Sequence, residues 1–456
     1  MANAAATLPP EGAHPRLGPA ALIRGPPLMR GKLNLFQSAM LRWRDLHPYS
    51  AVHVVQVRER FDRARVESAI ANQLSAAGLT GFVLDRGRKR YEYRGGPATV
   101  ELEVVTPAPD VHTAIRTEIE RQLNRPFPHD GAFVPFRFFV HDQGSEFGLG
   151  VAYDHFIAGG ESIVVLLNDI VGRYLGASMQ RAKPNLYPAT FRPIVVRNAG
   201  KLLRSVHWLP RITASCRRGM RPRYTDHADG YNAFDFVVLA APAVSTLRAK
   251  AKALGVTFND LLIAIIMKAL SRDLPEKSRV GRRREIAVAS IVNLRSEIGY
   301  AAHDAFGQFL SSMRISHPAP DGITVEALAL DVHRETTRFK SLKLYLQTLL
   351  AVQINGVVWW FLSAGRRQRL YAKAYPVLAG LTSLNVDALW ETPAKRGQAP
   401  EYLRAVPTGP VAPLVVAATS SGNALALGLS YRRSAFTAAK VATIGSFVAD
   451  CVGSLQ

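Results

Sequence analysis

The stretch from Phe147 to Gly176 leaves this chain the least freedom. Phe147, Leu149, Val151 and Tyr153 are apolar at every second position, the period of a strand with one buried face. From Ile163 to Leu175 the text is mostly apolar, and Gly176 closes it as glycine closes a helix. Between the two lies Asp154-His155-Phe156-Ile157-Ala158-Gly159-Gly160-Glu161-Ser162, in which Ser162 is the expected N-cap. His155 therefore sits in the turn where a strand hands over to a helix. Such turns hold a side chain on a rigid frame at the mouth of a cleft, and imidazole exchanges protons near neutral pH. His155 is the candidate general base.

A length of 456 residues allows about two to three domains and a large core, and 48% hydrophobic with 20% charged residues reads as globular. The formal charge of +22 favours acidic partners, namely phosphorylated cofactors, anionic lipid surfaces, acidic carrier proteins or nucleic acid. Nucleic acid is the least expected of these, because the basic clusters at 86–90, 217–223, 282–284 and 366–369 are dispersed and no helix-turn-helix or zinc module accompanies them. Two cysteines, Cys216 and Cys451, exclude a disulfide framework and a Cys-x-x-Cys zinc site, so no metal is expected and a reducing, cytoplasmic location is. The sequence has no His-Glu-x-x-His, no phosphate-binding Gly-x-x-x-x-Gly-Lys-Ser/Thr and no Gly-x-Ser-x-Gly. Metalloprotease, nucleotide triphosphatase and serine-hydrolase readings lose ground accordingly.

Taken in order, residues 1–33 are rich in Ala, Pro and Gly and read as a flexible tail. Residues 34–180 form a first αβ lobe carrying the motif. Here Ala51–Val57 is a buried strand, Asp62 caps a helix and the Arg86–Lys89 turn joins a hairpin. Residues 181–232, Pro- and Arg-rich, read as a crossover linker. Residues 233–456 form a second lobe, with a capping-box start at Thr257-Phe258-Asn259-Asp260 and strands over 286–292, 306–315, 414–419 and 424–431. A last helix spans about 434–455. Leu344 to Gly365 carries no charge over 22 residues and holds Trp359, Trp360 and Phe361. Its polar residues point to a buried or interfacial helix rather than a membrane span, and Arg366-Arg367-Gln368-Arg369 behind it suggests contact with the inner face of a membrane.

The order of elements and the residues around His155 resemble the condensation-domain and chloramphenicol-acetyltransferase-like superfamily of CoA- or carrier-dependent acyltransferases. Asp154-His155-Phe156-Ile157-Ala158-Gly159-Gly160 is similar to the family's His-His-x-x-x-Asp-Gly, preceded by Asn124-Arg125-Pro126-Phe127. Weaker matches lie at Met40–Trp43, Phe258–Leu262, Val292–Arg295 and Leu427–Tyr431. The resemblance implies an α+β fold of two chloramphenicol-acetyltransferase-like lobes, each a mixed sheet flanked by helices, with a channel between them. It implies that His155, the motif's second His, is catalytic. The motif's Asp is Gly159 here, and in the family that Asp holds the loop by pairing with an arginine, matched by Arg295. Arg295 then needs another carboxylate, for which Asp154 and Glu161 are candidates.

The activity implied is transfer of an acyl group from a CoA or phosphopantetheinyl thioester to an alcohol or amine, with no bound cofactor. An acidic carrier protein is an implied partner. His155 would take the acceptor's proton and return it to the leaving thiolate. Gly159 and Gly160 would let backbone approach the reacting atoms, and Thr382, Ser383 and Asn385 are candidate oxyanion or substrate contacts from the second lobe. The alternative is a binding or auxiliary module of the same fold that lost activity with the motif Asp. A biosynthetic role in lipid, pigment or peptide-like products is implied by the resemblance alone.

Overall fold

The computed structural model describes residues 29–106, 110–179, 183–188, 190–272, 282–318, 320–391 and 401–454. The N-terminal half runs β1 (Met29–Lys32), α1 (Leu35–Arg44), β2 (Ser50–Val57), α2 (Arg63–Ala76), β3 (Phe82–Asp85), β4 (Arg90–Tyr93), β5 (Leu102–Val104), α3 (Val111–Asn124), β6 (Gly131–Ala132), β7 (Phe136–Asp142), β8 (Phe147–Asp154) and α4 (Gly160–Tyr174). Most of the expected tail, residues 1–28, lies outside the described residues. Its last part does not behave as a tail, because Met29–Lys32 pairs antiparallel with β4.

The expected linker is largely helical. It holds β9 (Asn185–Leu186), α5 (Arg192–Arg197), α6 (Ala199–Ser205) and α7 (Leu209–Arg218). Pro193 and Pro210 sit in the first turns of α5 and α7, where a missing N–H costs nothing, so they start helices rather than break them.

The C-terminal half runs β10 (Asn232–Leu239), α8 (Ala241–Ala253), α9 (Phe258–Arg272), β11 (Ile286–Asn293), α10 (Arg295–Ile298), β12 (Ala305–Phe306), β13 (Leu310–His317), α11 (Val325–Ser341), α12 (Gln347–Trp360), α13 (Ala364–Ala374), β14 (Ala379–Asn385), β15 (Tyr402–Ala405), β16 (Leu414–Ser421), β17 (Ala424–Arg432) and α14 (Ala438–Ser454). The capping box at α9 forms as expected, with Thr257 Oγ1 accepting from the Asp260 N–H at 3.2 Å and Asp260 Oδ2 accepting from the Thr257 N–H at 3.1 Å. The strand expected over 306–315 is two strands. Phe306 pairs with Leu186, and the chain then turns past the motif loop before β13 begins. The charge-free stretch is likewise interrupted, as a short 3₁₀ turn, α12 and the start of α13. No single helix among the described residues is long and apolar enough to cross a membrane.

Two large mixed sheets carry the fold, one of five strands in the order β15-β2-β8-β7-β5 and one of six in the order β10-β17-β16-β14-β11-β13. Alternation assigns their faces. In the smaller sheet Val52, Val54, Ala152 and Leu403 pack on one side, against α3, while Ala51, Val55, Val151 and Tyr153 join the main core on the other. His53, Tyr402 and Arg404 share the latter side by the same period. The edge strand β15 comes from the C-terminal half yet pairs antiparallel with β2, placing Arg404 opposite His53. The lobes are thus joined by a shared sheet as well as by packing.

Gly428 on β17 makes this crossing fit. A Cβ there would lie 1.9 Å from the Arg404 carbonyl oxygen, a backbone atom that cannot swing aside. Gly428→Ala is expected to lower the stability of the whole chain by at least about 2 kcal/mol, read as a fall in the urea midpoint.

Candidate active site

The motif loop begins where β8 runs out of partners. Asp154 still pairs with Ser50 of β2, and the Ile157 N–H then closes a turn on the Asp154 carbonyl at 3.0 Å. His155 is held within this turn by its own backbone. Its N–H donates to the Tyr49 carbonyl at 3.2 Å, and its carbonyl accepts from Gln308 Nε2 at 2.8 Å. Its ring lies 5.4 Å from Tyr49 and 5.8 Å from Tyr153, centroid to centroid. Phe156, Ile157 and Ala158 are buried, so the loop is part of the core rather than a surface turn.

The motif's two acidic positions are resolved by distance. Asp154 is fully buried and forms an ion pair and hydrogen bond with Arg44 of α1, whose side chain is mostly buried, and neither residue lines the cavity described below. Burial raises its carboxyl above the ordinary value and Arg44 opposes the rise. Of the two carboxylates expected as partners for Arg295, it is Glu161 that takes the role. Arg295 Nε meets Glu161 Oε2 at 2.7 Å, Nη2 donates to Ser162 Oγ at 2.7 Å and Nη1 donates to the Ala305 carbonyl at 2.8 Å. The guanidinium also lies 4.2 Å from the centre of the Phe309 ring. Glu161 is in the first turn of α4, where the helix dipole favours an anion, and its second oxygen accepts from Asn293 Nδ2 at 2.6 Å.

Ser162 is not the N-cap. The helix starts two residues earlier, with Gly159 at the cap position and no side-chain capping bond. The Ser162 hydroxyl instead accepts from Arg295 and from the Gly307 N–H at 3.1 Å, inside the brace. Gly159 has φ −100°, which any residue can adopt. Gly160 has a steric reason, because a Cβ there would lie 3.0 Å from Arg404 Nη1.

His155 opens into a cavity of about 370 Å³ between the halves. Phe36, Trp43 and Tyr49 line it from one side, and Asn293, Thr382 and Ser383 from the other. Gly159, Gly160 and Arg295 also border it. Of the second-lobe candidates, Ser383 reaches the cavity, although its hydroxyl donates to Asn259 Oδ1 at 2.7 Å. Asn385 is not among the lining residues, and its side chain turns back to accept from the Asp387 N–H at 3.2 Å. Both lie on strand β14 rather than in a loop.

Sequence reasoning missed Arg404. It is only 2% exposed, no acidic side chain among the described residues is paired with it, and its bonds are to neutral oxygens: Nε to Thr419 Oγ1 at 2.8 Å, and Nη2 to the carbonyls of Ala418 at 2.9 Å and Thr382 at 3.0 Å. Nη1 has no hydrogen-bond partner among the described residues, and Arg404 lines the cavity that His155 lines. Burial lowers the Arg404 pKa to about 10, opposed by Tyr153, Tyr402 and Glu161. Beside it His53 is buried, with Nδ1 2.7 Å from the Tyr402 hydroxyl. Burial, opposed by the Ala158 backbone and reinforced by the Arg404 charge, pushes the His155 imidazole down to about 3. The ring is therefore neutral at any ordinary pH. Among the described residues no three His, Cys, Asp or Glu side chains converge as metal ligands would.

No protein-family model and no curated protein sequence matches the chain. Solved structures do. The first condensation domain of the CDA synthetase superposes with a TM-score of 0.62 at 14% identity, over 94% of this chain and 97% of that one. The condensation domain of the Monacolin K polyketide synthase MokA gives 0.66 at 11%, over 94% and 98%. A mutant starter condensation domain of the rhizomide synthetase RzmA, solved with C8-CoA, gives 0.63 at 12%, over 94% and 95%. The chain has a condensation-domain fold. The two-lobed α+β architecture expected from the sequence is therefore the observed one.

Two measurements test this site. Removing Glu161 leaves the buried Arg295 without its carboxylate, so Glu161→Ala should cost about 3 kcal/mol of stability. A double-mutant cycle with Arg295→Met should show strong coupling between the two positions. The second concerns acid. Burial depresses His47 and His155 to about 3, and His53 well below its ordinary 6.5. As pH falls below 6.5 the unfolded chain takes up protons at these positions and the folded chain does not. Their contribution is thus present above pH 6.5 and lost towards pH 3, at up to about 1.4 kcal/mol per pH unit for each histidine. Urea midpoints between pH 7 and 5 should show this slope, and it should be shallower in His155→Ala.

Proposed function

We propose that the chain is an acyltransferase that moves an acyl group from a CoA or carrier-protein thioester to an alcohol or amine, with His155 as general base. The observation that carries the reading is a neutral imidazole, on a backbone clamped by Tyr49 and Gln308, sharing one interlobe cavity with a buried arginine that has no acidic partner among the described residues. The fold shared with a starter condensation domain solved with C8-CoA supports a thioester donor.

The acceptor's O–H or N–H donates to His155 as its heavy atom attacks the thioester carbonyl. The carbonyl π electrons move onto oxygen, giving a tetrahedral oxyanion. When they return, the C–S bond breaks and the imidazolium protonates the departing thiolate. Arg404 is the oxyanion partner in this reading, through the nitrogen it presents to the cavity. Burial is the main cause that holds the free imidazole neutral, with the Arg404 charge a smaller one, so in this reading proton transfer to His155 depends on the oxyanion's charge developing beside it. No covalent acyl-enzyme is required. The Glu161–Arg295 pair supports a braced loop despite Gly159, so the auxiliary-module alternative loses its main argument.

Thiol release from a panel of acyl-CoA donors, with alcohol and amine acceptors, tests this. His155→Ala should lower acceptor-dependent release by about a hundredfold or more at unchanged near-UV circular dichroism. Arg404→Lys should lower kcat by about a hundredfold with little change in KM, because the interaction strengthens only in the transition state. No release with any donor, or equal release from parent and His155→Ala, would favour the non-catalytic module.

A further inference from the structure

The positive charge is not spread over the molecule. Residues 170–225 and 336–386 hold 19 of the 57 Lys and Arg and none of the 35 Asp and Glu, which leaves the rest of the chain close to neutral. The two acid-free segments meet in space. Gln347 Nε2, at the start of α12, donates to the carbonyl and hydroxyl of Ser205 on α6 at 2.9 Å each, and the Arg338 guanidinium lies 5.3 Å from the centre of the Trp208 ring.

The same two segments expose large apolar side chains. Leu203 and Val206 stand out on the first, and Ile354, Val357, Trp360 and Phe361 on the second, with Trp360 75% and Phe361 83% exposed. Arg366, Arg367 and Arg369 follow within a turn or two. Helix α12 divides its faces between two environments. Thr348, Ala351, Val352 and Asn355 line the His155 cavity, while Leu350, Ile354 and Val357 face outward.

Exposed aromatic and branched side chains would be covered in water by an apolar partner, and a field of mainly positive sign, in which Glu285, Glu297 and Glu335 from outside the two segments offset Arg218, Lys343 and Arg338, favours an anionic one. A bilayer containing anionic lipid meets both demands at once, since aromatic and aliphatic side chains enter the acyl boundary while Arg and Lys reach the headgroups. We propose that α6, α7, α12 and α13 form a docking face for an anionic lipid bilayer, which places the wall of the interlobe cavity one helix away from the membrane. The proposal is independent of whether the cavity is catalytic. It differs from a membrane span, because the face lies on the surface and crosses nothing.

Flotation of the whole chain with phosphatidylcholine vesicles, with and without phosphatidylglycerol, tests it. Binding is expected only with phosphatidylglycerol and should fall steeply with added salt. Arg366→Gln/Arg367→Gln/Arg369→Gln should weaken binding by roughly a hundredfold, each basic residue near such a surface contributing roughly fivefold. Trp360→Ser/Phe361→Ser should weaken it by about tenfold or more without affecting folding, because both side chains are exposed. Failure to float with anionic vesicles would overturn the proposal, as would flotation that the Trp360→Ser/Phe361→Ser variant leaves unchanged. So would a dimer in light scattering that this variant dissociates, because a second copy would then cover the face.

Discussion

A β-strand needs hydrogen-bond partners on a neighbouring strand, and Tyr402–Ala405 finds them on the sheet of the opposite half of the molecule. Much of the site depends on this crossing. It puts Arg404 opposite His53, lets its guanidinium reach back to Thr382, Ala418 and Thr419 of the other sheet, and gives Gly160 and Gly428 their reasons for lacking a side chain. His155 comes to the same place from β8, two strands in from that edge, so base and cation are positioned through one ladder.

The charges around the loop follow a consistent economy of space. Each buried guanidinium near His155 is assigned by geometry: Arg44 to Asp154, Arg295 to Glu161, and Arg404 to neutral oxygens with one nitrogen left over. An unpaired buried cation is costly to fold around, so its persistence at a cavity wall is a stronger pointer to a ligand than any of the paired ones. Glu161 takes the place of the carboxylate missing at Gly159 because its side chain, starting two residues further on in the first turn of α4, reaches Arg295.

What the sequence made legible was local. The strand, turn and helix around His155 follow from a change of period, from two to about three and a half, flanked by glycines, and the capping box at Thr257 needs only four residues. What it concealed was pairing at long range. Arg404 lies in a four-residue strand with no periodic context, and no nearby residue says that β2 is its neighbour. The helices of 192–218 were hidden because proline reads as a breaker until its place in the first turn is known. Asn385 lies two residues from Ser383 in sequence, yet a strand carries alternate side chains further along the same sheet, and of these two Ser383 alone reaches the cavity.

The shared edge strand has a mechanical consequence. Two lobes joined only by a hinge can open like a book, releasing whatever lies between them. Here a wide opening would have to strip β15 from β2, breaking a ladder that also carries Arg404. Small breathing motions remain available, but traffic to and from the interlobe cavity has to proceed without a wide parting of the lobes.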